Sequence, residues 1–147
     1  MIREAIPQDF HRIMELYAQL HPNDATVEDG SDRRAFDDII ANPNLLLFVL
    51  EDDSGIINAT CYFNFIPNIT RQAAPYAVIE NVVTEVSQRN TGLGKRLLQH
   101  VLQFAWDKGC YKVMLMTGSR RESTHQFYQS CGFRMDDKLA FIARPPQ

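Results

Sequence analysis

The sequence lacks the features by which several classes of protein are recognised. Its 147 residues carry a net charge of −3, so no overall positive field suggests a nucleic-acid partner. No apolar run approaches the roughly 18 residues that a membrane-spanning helix requires, and no early apolar run follows basic residues as in a signal peptide. We therefore expect a cytoplasmic protein that binds neither nucleic acid nor membrane.

Cysteine is scarce and is not arranged as a ligand set. The three cysteines, Cys61, Cys110 and Cys131, are an odd number without CxxC spacing or nearby histidines. This pattern indicates buried thiols in a reducing compartment, so we expect neither a disulfide framework nor a metal site.

The remaining composition is that of an ordinary globular domain with a local concentration of basic residues. With 45% hydrophobic and 22% charged residues, the chain can bury one sizeable core, and we expect a single domain over residues 1–147. Basic side chains cluster at Arg89, Lys95 and Arg96 and again at 120–121. This distribution favours a small anionic ligand over a polyanion.

Hydrophobic periodicity predicts a mixed α/β domain with an antiparallel first part and a βαβ-like second half. The expected strands are 1–6, 45–50, 56–66, 76–84, 111–116 and 139–143. Four helices are expected: from residue 10 to about Leu20, from Ser31 as N-cap to about residue 42, from residue 93 to 108, and a last one that includes residues 124–128.

A basic turn with two glycines separates the fourth of these strands from the long helix. Gly92 and Gly94 remove side chains that would keep a phosphate from the backbone, and the helix N-terminus favours an anion. The turn alone leaves three alternatives open: a Rossmann-type nucleotide site, a P-loop, and a glycine turn with no ligand.

Three features in order narrow these alternatives: the strand Ile79–Thr84, the Arg-x-x-Gly-x-Gly turn Arg89–Gly94, and the segment Phe127–Phe133 with its Phe-Tyr and Gly-Phe pairs. Together they resemble the GNAT family of N-acetyltransferases and, within it, the glucosamine-phosphate N-acetyltransferases. The resemblance implies the GNAT-type acyl-CoA N-acyltransferase fold, with a mixed sheet of about six or seven strands flanked by about four helices. It also implies transfer of acetyl from acetyl-CoA to an amine, without a metal.

The chain departs from the glucosamine-phosphate pattern at several positions. Asn81 stands where those enzymes usually carry aspartate, and Thr124 stands where they carry asparagine. Met116 and Thr117 replace an Asp-Cys pair. The identity of the acceptor therefore does not follow from the resemblance.

The resemblance implies that acetyl-CoA, as co-substrate, is held by two groups of residues. The pyrophosphate group consists of Arg89, Asn90, Thr91, Gly92, Leu93, Gly94 and Lys95. The pantetheine arm pairs with the backbone of Val82, Val83 and Thr84. A backbone N–H near Val82 or Val83 stabilises the oxyanion that develops at the thioester carbonyl. Thr124 faces the same side of its helix as Tyr128 and is a further candidate for this arm.

Two residues are candidates for proton transfer. Glu80 is the only carboxylate in an otherwise apolar strand, which favours a general base acting directly or through a water, or a residue that orients the acceptor. The alternative is a carboxylate that faces solvent or pairs with an arginine. For Tyr128, the resemblance implies a proton donor to the departing thiolate, and the alternative is an amphipathic core tyrosine. We expect Glu85 and His125 to be solvated surface residues.

The family builds its acceptor pocket from three segments, which correspond here to 21–31, 63–76 and 136–144. The first is acidic, which suits a cationic amine, and the last contains Arg144, which suits an anionic group. We expect a small primary amine such as an amino sugar phosphate. The alternatives are a protein or peptide N-acetyltransferase and a non-catalytic acyl-CoA-binding module. A homodimer is a family expectation, and an exposed aromatic run at Tyr62–Phe65 is its candidate surface.

Overall fold

The computed structural model describes residues 1–147 and contains five strands, five α-helices and two short 3-10 turns, Pro7–Asp9 and Val86–Gln88. The strands are β1 (Ile2–Glu4), β2 (Leu45–Glu51), β3 (Ile57–Ile66), β4 (Tyr76–Thr84) and β5 (Val113–Leu115). The helices are α1 (Phe10–Leu20), α2 (Ser31–Ala41), α3 (Thr70–Ala73), α4 (Leu93–Asp107) and α5 (Glu122–Ser130). The chain forms two compact units, residues 1–115 and residues 116–147, which are described separately.

All strands belong to one mixed sheet in the order β1-β2-β3-β4-β5. The first four are antiparallel neighbours, and β5 runs parallel to β4 after the α4 crossover. This arrangement confirms the predicted α/β class, with five strands instead of six or seven. The strand expected at 139–143 is wrong: these residues are exposed and pair with no strand.

Strand alternation directs apolar side chains to both faces of the sheet. On one face, Leu47 and Val49 pack in a cluster with residues of α1 and α2. On the other, the ring of Phe104 from α4 contacts Phe48 and Phe63 at centroid distances of 5.2 and 5.5 Å. Each side chain buried in this way stabilises the fold by about 1.5–3 kcal/mol.

The aromatic run expected to be an exposed surface is not one. Phe63 is 0% exposed, and Tyr62, Asn64 and Phe65 are only partly accessible. The prediction failed because the run alternates across a strand that is covered on both faces.

The helix starts differ in detail from the sequence-based expectation. Gly30, at φ 78°, is the N-cap of α2, and Ser31 is its first residue. The carboxylate of Asp29 accepts the backbone N–H of Ser31 at 2.9 Å. The short segment α3 lies between β3 and β4, where the sequence predicted neither a helix nor a strand, and three of its residues have positive φ.

The three cysteines are buried, and none forms a disulfide. Burial raises the pKa of the Cys61 thiol to about 12 and also raises the pKa of Cys110, so neither is a ready thiolate nucleophile. The structure contains no group of three or more potential metal ligands, and none of its helices has the length and apolar character needed to span a membrane.

Candidate active site

The second half of β4 has a strand partner on one side only. Strand β5 pairs with β4 only at residues Ala77, Val78 and Ile79. From Glu80 to Thr84, β4 pairs with β3 alone. These residues therefore present an open strand edge, to which an extended ligand with amide groups can be added.

A β-bulge lies at the start of this open edge. Tyr62 pairs with Glu80 and Thr60 pairs with Val83, so two residues of β4 are opposite Cys61 alone. One of them, Asn81, has φ 54°, a conformation that asparagine tolerates better than most residues. The bulge brings Glu80 and Val83 to the same face of the sheet, and it turns the intervening backbone away from the regular ladder.

Helix α1 supports the bulge through Tyr17. The hydroxyl group of Tyr17 shares a hydrogen bond with the side chain of Asn81. Burial raises the pKa of Tyr17 and outweighs the opposing effect of this bond, so the phenol stays protonated at neutral pH. The unusual backbone of Asn81 is thus fixed by a side-chain contact with a neighbouring helix.

Glu80 lies on this edge without a structural partner. Its side chain is half-buried, and it takes part in none of the salt bridges of the structure. The carboxylate is therefore not paired with an arginine, which was one of the two alternatives to a catalytic role. Its function as a base stays a prediction.

The loop after β4 leads to an uncapped helix N-terminus. Gly92 is the N-cap of α4 at φ 86°, and no side chain accepts a hydrogen bond from the first turn of the helix. The first N–H groups of a helix have no intrahelical partner, so those of Leu93, Gly94 and Lys95 are available to an anion. A Cβ atom placed on Gly92 would meet no atom within 4 Å, which shows that the space before the turn is open.

Basic side chains surround this helix end. Arg89 is exposed and donates from Nε to the carbonyl oxygen of Thr84 at 3.2 Å, which folds its guanidinium group back over the loop. Lys95 lies in the first turn of α4 and Arg96 follows it. Their charges add to the helix dipole and favour a bound phosphate.

Glu85 was expected to be solvated, and this prediction is wrong. Its side chain is only 14% exposed and forms a salt bridge with Arg12 at 2.8 Å. Hydrogen bonds from Gln19 and Arg12 lower the pKa of Glu85. No local signal in the sequence indicates this contact, because the two partners belong to α1.

Helix α5, in the second unit, carries the other two predicted site residues. The ring of Tyr128 contacts those of Phe127 and Phe133 at centroid distances of 5.1 and 6.2 Å. Thr124 precedes Tyr128 by one turn, and its hydroxyl group accepts a hydrogen bond from Ser119 at 3.0 Å.

The structure also shows where two further residues of the second unit lie, His125 and Arg144. His125, expected to be a surface residue, is half-buried, with Nε2 at 2.8 Å from the carbonyl oxygen of Ser119. Arg144 lies in the exposed C-terminal segment, outside any strand.

The sequence of the chain matches the model of a known family. The sequence model of the acetyltransferase (GNAT) family covers residues 10–133. The chain belongs to this family. The resemblance inferred from the motifs is thereby confirmed, and the chain is an acyltransferase of the GNAT class, whose enzymes use acetyl-CoA.

Named relatives are similar over part or most of their length. The chain is 38% identical over 72 residues to glucosamine 6-phosphate N-acetyltransferase of Trypanosoma brucei brucei, an alignment that covers 49% of this chain and 47% of that enzyme. It is 28% identical over 121 residues to the Arabidopsis thaliana enzyme of the same name, covering 81% and 78% of the two chains. The chain thus spans about half of the trypanosomal relative and most of the plant one.

Solved structures agree over nearly the whole chain. A putative acetyltransferase from Agrobacterium tumefaciens str. C58 superposes with a TM-score of 0.92 and 39% identity, covering 99% of each chain. Glucosamine-6-phosphate N-acetyltransferase from Arabidopsis thaliana superposes with a TM-score of 0.82 and 26% identity, covering 99% of this chain and 97% of that one.

Proposed function

We propose that this protein is an acetyl-CoA-dependent N-acetyltransferase in which a small primary amine attacks the thioester directly. The observation that carries the proposal is the continuity of the open edge of β4 with the uncapped N-terminus of α4. The open strand edge can pair with the amide groups of pantetheine, and the helix N-terminus can bind the pyrophosphate. The two features follow each other along the chain as pantetheine and pyrophosphate follow each other in acetyl-CoA.

The residues present fit such a donor. Backbone groups of Val82, Val83 and Thr84 pair with the pantetheine amides, and Thr124 is a further contact for this arm. The pyrophosphate is held by the loop and the first turn of α4, that is by Arg89, Asn90, Thr91, Gly92, Leu93, Gly94 and Lys95. When bound, acetyl-CoA supplies an acyl group activated as a thioester.

Three groups of the chain then assist the transfer. Glu80 takes the proton that the ammonium must lose before its nitrogen attacks, directly or through a water. A backbone N–H of Val82 or Val83 stabilises the oxyanion that forms at the thioester carbonyl. Tyr128 donates a proton to the departing thiolate, an assignment that rests on its place in the Phe-Tyr motif.

The names of the relatives and the charge of one loop support a proposal for the acceptor class. Relatives bear the names glucosamine 6-phosphate N-acetyltransferase and aminoglycoside N(6')-acetyltransferase, which are both enzymes of amino sugars. The loop 21–30 contains Asp24, Glu28 and Asp29, all exposed and suited to a cationic amine. We infer that the acceptor is an amino sugar or a small amine of similar size, with Arg144 as a candidate contact for an anionic substituent.

The test measures release of free thiol from acetyl-CoA with a panel of amino sugars, amino sugar phosphates, aminoglycosides and peptides. We expect an amino sugar to accelerate thiol release. Acceleration by peptides alone would instead favour a protein N-acetyltransferase. Acetyl-CoA binding without turnover on any amine would favour a non-catalytic binding module, and no binding at all would contradict the proposal.

We also infer that the protein is a homodimer in a reducing, cytoplasmic environment. Leu139, Phe141 and Ile142 are 86%, 93% and 61% exposed, and such a run of apolar side chains is unusual on the surface of a monomer. The three buried cysteines, none of them in a disulfide, are consistent with a reducing compartment.

A further inference from the structure

The connection between β4 and α4 is held in place by polar side chains of α1. One carboxylate oxygen of Glu85 accepts hydrogen bonds from Arg12 Nη2 at 2.8 Å and from Gln19 Nε2 at 2.9 Å. We call Arg12, Gln19 and Glu85 the Glu85 cluster. Gln19 and Arg12 lie 66 and 73 residues before Glu85 in sequence, so the cluster connects α1 to the start of the loop.

Residues of the cluster also form hydrogen bonds with backbone groups of the loop and of β3. The side-chain oxygen of Gln19 accepts the N–H of Val86 at 2.9 Å, so its amide group contacts the loop through both ends. The N–H of Glu85 donates to the carbonyl oxygen of Asn58 at 2.7 Å, and Arg12 Nε donates to that of Ile57 at 2.8 Å. Residues of α1, the start of β3 and the loop after β4 are therefore joined by hydrogen bonds around Glu85.

From this point, local hydrogen bonds continue through the loop. Glu85 is the N-cap of the 3-10 turn Val86–Gln88, and its carbonyl oxygen accepts the N–H of Gln88 at 2.8 Å. The carbonyl oxygen of Gln88 in turn accepts the hydroxyl group of Thr91 at 2.5 Å. A shift of Glu85 would therefore displace the residues that precede Gly92.

The charge state of the cluster suits a fixed support. Gln19 and Arg12 lower the pKa of Glu85, so the carboxylate is ionised at neutral pH and accepts both donors. The salt bridge joins side chains that are 26% and 14% exposed, which is less accessible than the other pair of Arg12, with Glu15 at 65%. Partial burial reduces screening by water, so the attraction between Arg12 and Glu85 is stronger than that between Arg12 and Glu15.

We propose that the Glu85 cluster is a positioning device that holds the Arg89–Gly94 turn in the shape that binds the pyrophosphate of the acetyl donor. The inference rests on the proposed function, since it concerns the same donor site. If the loop adopts the conformation that binds the donor only part of the time, its apparent affinity for the donor is the intrinsic affinity multiplied by that fraction. The cluster contacts neither Glu80 nor the backbone of Val82 and Val83, so it affects donor binding and leaves the chemical step unchanged.

The test compares two variants with a matched control. Glu85→Gln removes the charge, and Gln19→Met removes the bonds to Glu85 and Val86 while leaving the salt bridge intact. Glu15→Gln removes the other, exposed carboxylate partner of Arg12. We expect the first two to raise KM and Kd for acetyl-CoA by about five- to tenfold, the effect of losing one or two hydrogen bonds of ordinary net strength. Turnover at saturating acetyl-CoA stays within about twofold, and Glu15→Gln behaves as wild type.

A second readout does not depend on activity. Without ligand, amide hydrogen exchange in residues 86–92 should be faster in Glu85→Gln and Gln19→Met than in wild type, while exchange in β2 and β3 stays the same. Faster exchange throughout the chain, or a lower kcat at unchanged KM, would show that the cluster only stabilises the fold and would overturn the proposal. Wild-type protein that fails to bind acetyl-CoA would contradict the proposed function instead.

Discussion

At the scale of single residues, Glu80 combines an unusual position with the absence of a structural partner. It is the one carboxylate in β4, it is half-buried, and it forms no salt bridge. We expect Glu80→Gln to lower kcat by about 10²- to 10⁴-fold, the usual contribution of a general base, with little change in melting temperature. Steady-state kinetics and thermal unfolding of the same samples measure both quantities.

The matched control for this variant is Glu4→Gln, which removes an exposed carboxylate from another strand, β1. It should retain wild-type turnover. A Glu80→Gln enzyme with kcat within about twofold of wild type would exclude a role as base.

The two glutamates near the end of β4 show what the sequence reveals at this scale. Glu80 stands out because its neighbours are apolar, so the sequence alone identified it as a candidate. Glu85 gave no such signal, because its partners Arg12 and Gln19 are 73 and 66 residues away. Contacts over such distances become visible only when the helix is packed on the sheet.

At the scale of elements, the two ends of α4 offer a direct comparison. Gly92 before the helix and Gly109 after it have φ of 86° and 82°, and a Cβ on either would meet no atom within 4 Å. Alanine at either position should cost about 1–2 kcal/mol of unfolding free energy, because an L-residue is strained in the left-handed region. We expect only Gly92→Ala also to weaken acetyl-CoA binding, since only this turn faces the proposed pyrophosphate site.

Chemical denaturation and calorimetric titration of the two variants provide the measurements. Equal loss of acetyl-CoA affinity in Gly92→Ala and Gly109→Ala would mean that general destabilisation, rather than the shape of the turn, determines binding.

A second prediction at this scale concerns the junction between β1 and α1. The carboxylate of Asp9 accepts hydrogen bonds from Arg3 at 2.7 and 3.2 Å and from the N–H of Ile6 at 2.8 Å. Burial disfavours the charged form, but the hydrogen bonds from Arg3 and Ile6 prevail and lower the pKa of Asp9 below its ordinary value of 3.8. Asp9 therefore stabilises the folded state above that value, and the contribution is lost as the pH falls below it.

We expect Asp9→Asn to lower the unfolding free energy at pH 7 by about 1–3 kcal/mol, and the difference from wild type to shrink below about pH 4. Asp37→Asn, in an exposed pair with Arg33, should change stability by less than about 0.5 kcal/mol at either pH. Urea titrations over this pH range measure the effect. A difference between Asp9→Asn and wild type that does not depend on pH would show that the charge of Asp9 is not what stabilises the junction.

Strand β4 illustrates how far element prediction extends. Its bounds, Tyr76–Thr84, follow from an apolar run between a proline and a polar turn, and the structure confirms them. The bulge at Asn81 was not predicted, because it is defined by the register with β3 and by the contact with Tyr17. The local pattern thus specifies the strand, while its neighbours specify the irregularity that shapes the proposed site.

At the scale of the whole molecule, the C-terminal segment is the part that a single chain leaves uncovered. Its alternating apolar residues predicted a strand, yet a strand requires a neighbour, and the sheet of this chain supplies none to residues 139–143. The order and type of the other strands were predictable because their partners lie within the chain. This segment differs because its apolar pattern has no such partner.

We expect the protein to have twice the mass of its 16.9 kDa chain in light scattering after size-exclusion chromatography. The double variant Leu139→Ser, Phe141→Ser should be monomeric, because it removes the two most exposed apolar side chains of the segment. Ile69→Ser removes another exposed apolar side chain, 92% accessible and outside the segment, and should remain dimeric. A monomeric wild type, or a dimeric double variant, would contradict this assignment of the interface.

The central claim is that the open edge of β4 and the N-terminus of α4 together bind acetyl-CoA. Amide hydrogen exchange with and without acetyl-CoA tests it most directly, because the proposed contacts are backbone N–H groups. We predict slower exchange on ligand binding at Val82 and Val83 and at residues 93–95, with little change in β1 and β2. Binding of acetyl-CoA that leaves exchange at these amides unaltered would contradict the account.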